Sequence, residues 1–91
     1  MPLPPYRTST QAARALRELR VAAIEAIAGH LAHYPPMTNA ALADRLGISR
    51  ARLYSLQKKK VDLFGLDSLA RIAARAGLSV HLRVARPYRG R

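Results

Sequence analysis

The chain has 91 residues, the size of one small domain, and its 16 Lys and Arg against 5 Asp and Glu give a formal net charge of +11. It contains no cysteine, which excludes disulfides and thiolate metal sites. No apolar stretch approaches the roughly 18–20 residues that cross a bilayer, and no secretory signal opens the chain, so we expect a cytoplasmic protein without a membrane partner. This density of positive charge favours a polyanionic partner over a merely solvated surface.

The N-terminal third is predicted to be an arm followed by one long helix. Residues 1–7 hold three prolines and are predicted to form a disordered arm. Thr8 and Gln11 have the spacing of a capping box, which places a helix start there. The helix runs to about His33, before Pro35. Its apolar residues recur three or four apart, at Leu16, Leu19, Ala23, Ile27 and Leu31, with Ile24 beside them.

The middle of the chain predicts two short helices, 39–46 and 50–57, joined at Gly47. Thr38 and Ser49 are good N-caps, because their side-chain oxygens can accept hydrogen bonds from the first free backbone amides of a helix. Gly47 can end the first helix in the left-handed conformation. This layout is that of a helix-turn-helix, which places its second helix in the major groove of DNA.

After a connector, 58–65, the pattern predicts a helix over 66–76, capped by Gly77, and then a strand over 78–84. A lone strand leaves its backbone hydrogen-bonding groups without partners. We therefore expect the strand to pair with the same strand of a second copy about a two-fold axis. Pairing with the proline-rich N-terminal segment is the less favoured alternative. The predicted dimerisation residues are Leu78, Val80, Leu82 and Val84, and residues 87–91 form a basic tail.

Residues 38–84 resemble the Cro/lambda-repressor-type (Xre) helix-turn-helix proteins, and more narrowly the HigA-like antitoxins and prophage regulators. The similarity rests on LGIS at 46–49, KKVDLFGLDSL at 59–69 and RAGLSVHLRV at 75–84. Two positions depart from the family pattern: Lys59 stands where Gly is usual, and Gly65 where Ser is usual. The expected fold is all-α, a compact bundle of four to five helices spanning 8–86, with its one strand paired across a homodimer.

The predicted DNA-contacting residues lie on and around the second helix of the motif. Leu53 and Leu56 are expected to face the core, which leaves the other faces of 50–57 outward. By resemblance, Arg50, Ala51 and Ser55 contact bases; arginine suits guanine and a methyl group suits thymine. Phosphate contact alone is the alternative for either arginine, Arg50 or Arg52. The full predicted set is Asn39, Ser49, Arg50, Ala51, Arg52, Tyr54, Ser55, Lys58, Lys59 and Lys60.

Catalytic chemistry has little support in the sequence. The five acids are scattered, no Ser-His-Asp arrangement is visible, and His30 and His33 have no third ligand nearby. We therefore predict a non-enzyme with no catalytic residues, no metal site and no cofactor.

The predicted function is a sequence-specific double-stranded DNA-binding transcriptional regulator. We expect a dimeric repressor on a palindromic operator, in the bacterial cytoplasm and on the nucleoid when bound. The resemblance implies an antitoxin of a HigBA-like pair with a cognate toxin partner. The alternatives are a free-standing phage or prophage regulator without a toxin, and a non-specific nucleic-acid-binding protein.

Overall fold

The computed structural model describes residues 5–83, with side chains from residue 10 onward, and these residues form helices joined by short connections. The elements are α1 (Pro5–Leu31), α2 (Asn39–Leu46), α3 (Arg50–Gln57), a 3-10 turn (Val61–Leu63) and α4 (Leu66–Arg75). Four α-helices confirm the all-α prediction, and α2 and α3 have the predicted bounds.

The start of α2 and the start of α3 are capped by the predicted side chains. Thr38 Oγ1 accepts a hydrogen bond from the Ala41 amide at 3.1 Å, and Ser49 Oγ accepts one from the Arg52 amide at 3.1 Å. Both caps have extended backbone, as an N-cap requires. The sequence therefore sets where each helix of the motif begins.

The three helices α2, α3 and α4 end in the same way. A residue with positive φ follows each: Gly47 at 72°, Lys59 at 56° and Gly77 at 91°. The next amide then bonds back to the last turn of the helix, in the pattern of a Schellman motif. These bonds are Ile48 N to Ala43 O at 3.0 Å, Lys60 N to Ser55 O at 3.0 Å and Leu78 N to Ala73 O at 2.9 Å. Lys59 thus ends α3 as sharply as a glycine would, although a side chain makes this backbone conformation less favourable.

One core holds the four helices and the 3-10 turn together. Leu53 and Leu56 enter it from α3, as predicted, and Phe64, the only phenylalanine of the chain, enters from the connector. The second half of α1 supplies Ile24 and Ile27. The remaining buried residues are Leu42, Ala43, Leu46, Val61, Leu69, Ile72, Ala73 and Ala76.

The first half of α1 corrects two predictions. The helix begins at Pro5, so residues 5–7 are helical and not part of a disordered arm; residues 1–4 lie outside the described part. Proline is tolerated in a first helical turn because its missing amide would have had no partner there. Leu16 and Leu19, predicted to face the core, are 41% and 40% exposed. The elements that pack on α1 are α3, the 3-10 turn and α4, and they cover mainly its second half. Residues 10–19 are all exposed.

The segment after α4 does not form the predicted strand within this chain. Residues 78–83 are not part of a strand, and residues 5–83 contain no strand that could pair with them. Leu78 packs against the core, whereas Val80 and Leu82 are 51% and 65% exposed. Pairing between two copies stays a prediction, because it requires a second chain. Val84 and the predicted basic tail, 87–91, lie outside the described residues.

The end of α1 is fastened to the end of α4. Tyr34 Oη donates a hydrogen bond to the Ala76 carbonyl at 2.7 Å, and His30 Nε2 lies 3.0 Å from the same oxygen. The two rings meet edge to face at 5.5 Å between centroids. These contacts use a carbonyl left free at the end of α4, and they fix the bundle that supports α2 and α3.

Candidate nucleic-acid interface

The two buried leucines of α3 determine which face of the helix points outward. Leu53 and Leu56 point into the core, so the residues between and before them face outward. Arg50, Ala51 and Tyr54 are exposed, and Ser55 is half-buried. The structure therefore brings the predicted base-contacting side chains onto one accessible helix.

The two arginines of α3 have different surroundings. Arg50 is exposed in the first turn of the helix. Arg52 is half-buried: its Nη1 donates a hydrogen bond to the Leu63 carbonyl at 3.0 Å, and its guanidinium carbon lies 4.3 Å from the centroid of the Phe64 ring. Arg52 is thus held against the connector, while Arg50 is placed to reach outward. The spacing of residues within α3 could not distinguish the two arginines. The partners of Arg52, Leu63 and Phe64, come eleven and twelve residues later in the chain.

A second group of cations follows α3 directly. Lys58 Nζ lies 5.5 Å and Lys60 Nζ lies 5.6 Å from the centroid of the Tyr54 ring, which belongs to a residue that is 55% exposed. Contact with an aromatic face restrains a lysine ammonium without neutralising its charge. Lys59 lies between them, in the left-handed turn. The three lysines and Tyr54 therefore form one exposed basic surface beside the exit of α3.

The predicted residues at the helix starts are divided between two roles. Ser49 caps α3 with its side-chain oxygen, so this oxygen already has a partner. Asn39 is exposed as the first residue of α2, next to the cap Thr38. Helix starts of this kind present backbone amides to anions.

Sequence analysis missed two arginines on α4. Arg71 and Arg75 line a cleft of about 450 Å³ together with Arg52 and the turn at Gly47. Their spacing of four residues places them on one face of α4, and this spacing is the sequence pattern that could have indicated a shared basic face. Nothing in the sequence indicates that this face meets the turn between α2 and α3.

Ion pairs remove little of the positive charge from this side of the molecule. Those found in the described part of the chain join Arg17 to Asp62 at 2.5 Å and Arg71 to Asp67 at 3.2 Å. Both pairs are largely exposed, where such contacts contribute little to stability. Neither pair involves Arg50 or the lysines at 58–60.

Residues 5–83 offer neither a metal site nor a membrane span. No group of three or more His, Asp or Glu side chains in this range could hold a metal ion. None of the helices in the same range has both the length and the apolar character of a bilayer span.

Comparison with known proteins agrees with this geometry. A family model described as a helix-turn-helix domain matches residues 7–85, which covers most of the chain. No curated protein and no solved structure matches the chain. The matched range includes α2, the turn at Gly47 and α3, where the capped helices and exposed cations lie. The chain therefore belongs to a helix-turn-helix DNA-binding family.

Proposed function

We propose that this protein is a sequence-specific double-stranded DNA-binding transcriptional regulator that reads its site with α3. The observation that carries the proposal is the presentation of α3: capped at Ser49, anchored by two buried leucines, and exposed at Arg50, Ala51 and Tyr54. A helix held in this way can enter a major groove without rearranging, which limits the entropy cost of binding.

Base recognition is assigned to the first two turns of α3. Arg50 can donate two hydrogen bonds to O6 and N7 of a guanine, and Ala51 can place its methyl group against a thymine methyl. Ser55 lies one turn further along the helix. Each half-site should therefore contain at least one guanine.

The surrounding residues are assigned to the DNA backbone. Asn39 and the start of α2 can meet a phosphate, and the basic surface of Lys58, Lys59, Lys60 and Tyr54 can follow the strand beyond α3. Ser49 contributes by fixing the first turn of α3. Such contacts set the register of the protein on the duplex without reading its sequence.

We also propose that two copies bind together. Residues 78–82 line one side of an apolar groove of about 300 Å³ whose other side is α1, from Leu19 to Ile27. Val80 and Leu82 are exposed at this groove, and burial against a second copy would remove them from water. In the proposed dimer, Leu78, Val80, Leu82 and Val84 of the two copies pair antiparallel, and the two α3 helices bind successive major grooves, which lie about 34 Å apart on one side of the duplex.

On a promoter, such a dimer would act as a repressor by excluding polymerase. The resemblance to HigA-like proteins supports the antitoxin of a HigBA-like pair, with a cognate toxin as a further partner. A free-standing phage or prophage regulator is the second candidate, supported by the same resemblance. Both place the protein in the bacterial cytoplasm. A non-specific nucleic-acid-binding protein is the third candidate, supported by the net charge of +11.

Selection of bound fragments from a random duplex pool, at physiological salt and with competitor DNA, tests the proposal. The expected result is one palindromic motif with half-sites one helical turn apart. Arg50→Ala should weaken selection of the motif, whereas Arg14→Ala, at an exposed arginine on α1, should retain it. Recovery of fragments without a common motif would instead support the non-specific candidate. A toxin reading frame beside the gene would distinguish the antitoxin from the free-standing regulator.

A further inference from the structure

The cleft between α4 and the turn of the motif is lined by three arginines. Arg52 comes from α3, and Arg71 and Arg75 come from α4; Ser68 adds a hydroxyl group. The cleft has a volume of about 450 Å³, which is ample for a tetrahedral oxyanion with part of a larger molecule attached. We call these four residues the arginine cleft.

One of the arginines is held by contacts of its guanidinium, and a second lies close to the backbone of the turn. Arg52 is fixed by its hydrogen bond to the Leu63 carbonyl and by the Phe64 ring beneath it. Arg75 lies against Gly47: a Cβ added there would come within 3.0 Å of Arg75 Nε. Glycine at 47 therefore both permits the left-handed turn and lets a guanidinium approach the backbone. An arginine restrained as Arg52 is gives up less side-chain entropy when it binds a ligand.

The charge of the arginine cleft is only partly compensated. Asp67 Oδ2 accepts a hydrogen bond from Arg71 Nη2 at 3.2 Å, in an exposed pair. Among the described residues, no acidic side chain lines the cleft itself. Guanidinium groups bind carboxylates and phosphates through paired N–H donors, and three of them around one space suit a group with oxygens in several directions.

We propose that the arginine cleft binds a phosphoryl group. Two sources share this chemistry: a phosphodiester of the DNA backbone beside α3, or a small phosphorylated ligand. The first source rests on the proposed DNA-binding function, and the second does not. The cleft is lined by Gly47, Ile48 and Arg52, at the start of α3. Either ligand would therefore lie beside the first turn of that helix.

Titration of the full-length chain with inorganic phosphate, followed by the ¹H–¹⁵N signals of the arginine Nε groups, tests the site without DNA. Sodium chloride at equal ionic strength is the reference, and sodium acetate is the carboxylate probe. We expect saturable shifts for Arg52, Arg71 and Arg75 with phosphate, and none for Arg14. Arg75→Gln should weaken phosphate binding about tenfold, because it removes a charge-assisted hydrogen bond, and Arg14→Gln should not.

Three results would overturn the assignment: equal shifts at all arginines, no saturation, or an acetate response as strong as the phosphate response. Arg71→Gln is the second variant, so that the test does not depend on one substitution, and urea unfolding verifies that both variants fold.

Measuring how DNA affinity depends on salt concentration, in the wild type and in Arg75→Gln, distinguishes the two sources of the phosphoryl group. If the group belongs to DNA, Arg75→Gln should flatten the slope of log affinity against log salt by about 0.9 for each phosphate that the variant no longer neutralises. If the slope is unchanged while phosphate binding is weakened about tenfold, the ligand is a free phosphorylated molecule. Failure of the wild type to select a DNA motif would refute the proposed function and leave the phosphate titration unaffected.

Discussion

Arg52 lies with its guanidinium carbon 4.3 Å from the centroid of the Phe64 ring and donates to the carbonyl of the neighbouring Leu63. Phe64 is buried in the core, so this contact ties the exposed side of α3 to the interior through one side chain. Arg52 therefore links α3 to the connector. This relationship separates Arg52 from Arg50, which has the same residue type and lies two positions earlier.

Arg50→Ala and Arg52→Ala are predicted to differ in kind. Arg50→Ala should weaken binding to the selected site by about 1–3 kcal/mol and leave binding to random duplex nearly unchanged, because it removes hydrogen bonds to a base. Competition assays with the selected and random duplexes measure both. An equal reduction on the two duplexes would mean that Arg50 contacts only phosphate.

Arg52→Ala should reduce folding stability by about 0.5–1.5 kcal/mol, because it removes a hydrogen bond and a cation–π contact. Its DNA affinity should fall on both duplexes alike. Urea unfolding measures the change in the free energy of unfolding, and the same competition assay measures the change in DNA affinity. Arg50→Ala is the matched control for stability, since its exposed side chain is not packed against the described core. A selective reduction on the cognate site by Arg52→Ala would contradict this assignment.

Lys59→Gly should stabilise the protein by about 0.5–1 kcal/mol. The residue has φ of 56°, a conformation that costs a side-chain-bearing residue more than it costs glycine. Lys59→Ala removes the same charge but keeps a Cβ, so it should give no such gain. Urea unfolding compares the two. If Lys59 contacts a phosphate, both variants should flatten the salt dependence of DNA binding equally.

Gly47→Ala and Gly29→Ala should change stability in opposite directions. Gly47 has φ of 72°, and an added Cβ would meet Arg75 at 3.0 Å, so alanine there should destabilise by about 1–2 kcal/mol. Gly29 lies within α1 with nothing within 4 Å of an added Cβ, so alanine should stabilise by about 0.5–1 kcal/mol. Thermal or urea unfolding measures both. A Gly47→Ala variant as stable as the wild type would show that the turn tolerates another geometry.

Leu82→Asp should convert the proposed dimer to a monomer, because it would place a charge among the apolar side chains that the proposed pairing of two copies buries. Met37→Asp, at an exposed apolar residue between α1 and α2, is the control and should leave the mass unchanged. Size-exclusion chromatography with light scattering measures the molecular mass. A Leu82→Asp protein that remains dimeric, or a dimer that persists after truncation before Gly77, would refute the role of residues 78–84.

Local sequence determined the motif itself. Thr38 and Ser49 have side chains that cap, Gly47 can adopt positive φ, and the leucines of α3 recur at helical spacing. These effects act within a few residues, so the bounds of α2 and α3 could be predicted from the chain alone.

Tertiary structure determined how much of α1 is buried and which residues surround Arg52 and Arg75, which the local spacing of residues does not indicate. The apolar stripe of α1 predicted Leu16 and Leu19 in the core, but α3, the 3-10 turn and α4 cover mainly the second half of α1, so these leucines stay exposed. Arg52 and Arg75 acquired their surroundings from Phe64 and Gly47, residues twelve or more positions away. Periodicity states which face of a helix is apolar; the amount of surface that other elements bring to it determines how much of that face is buried.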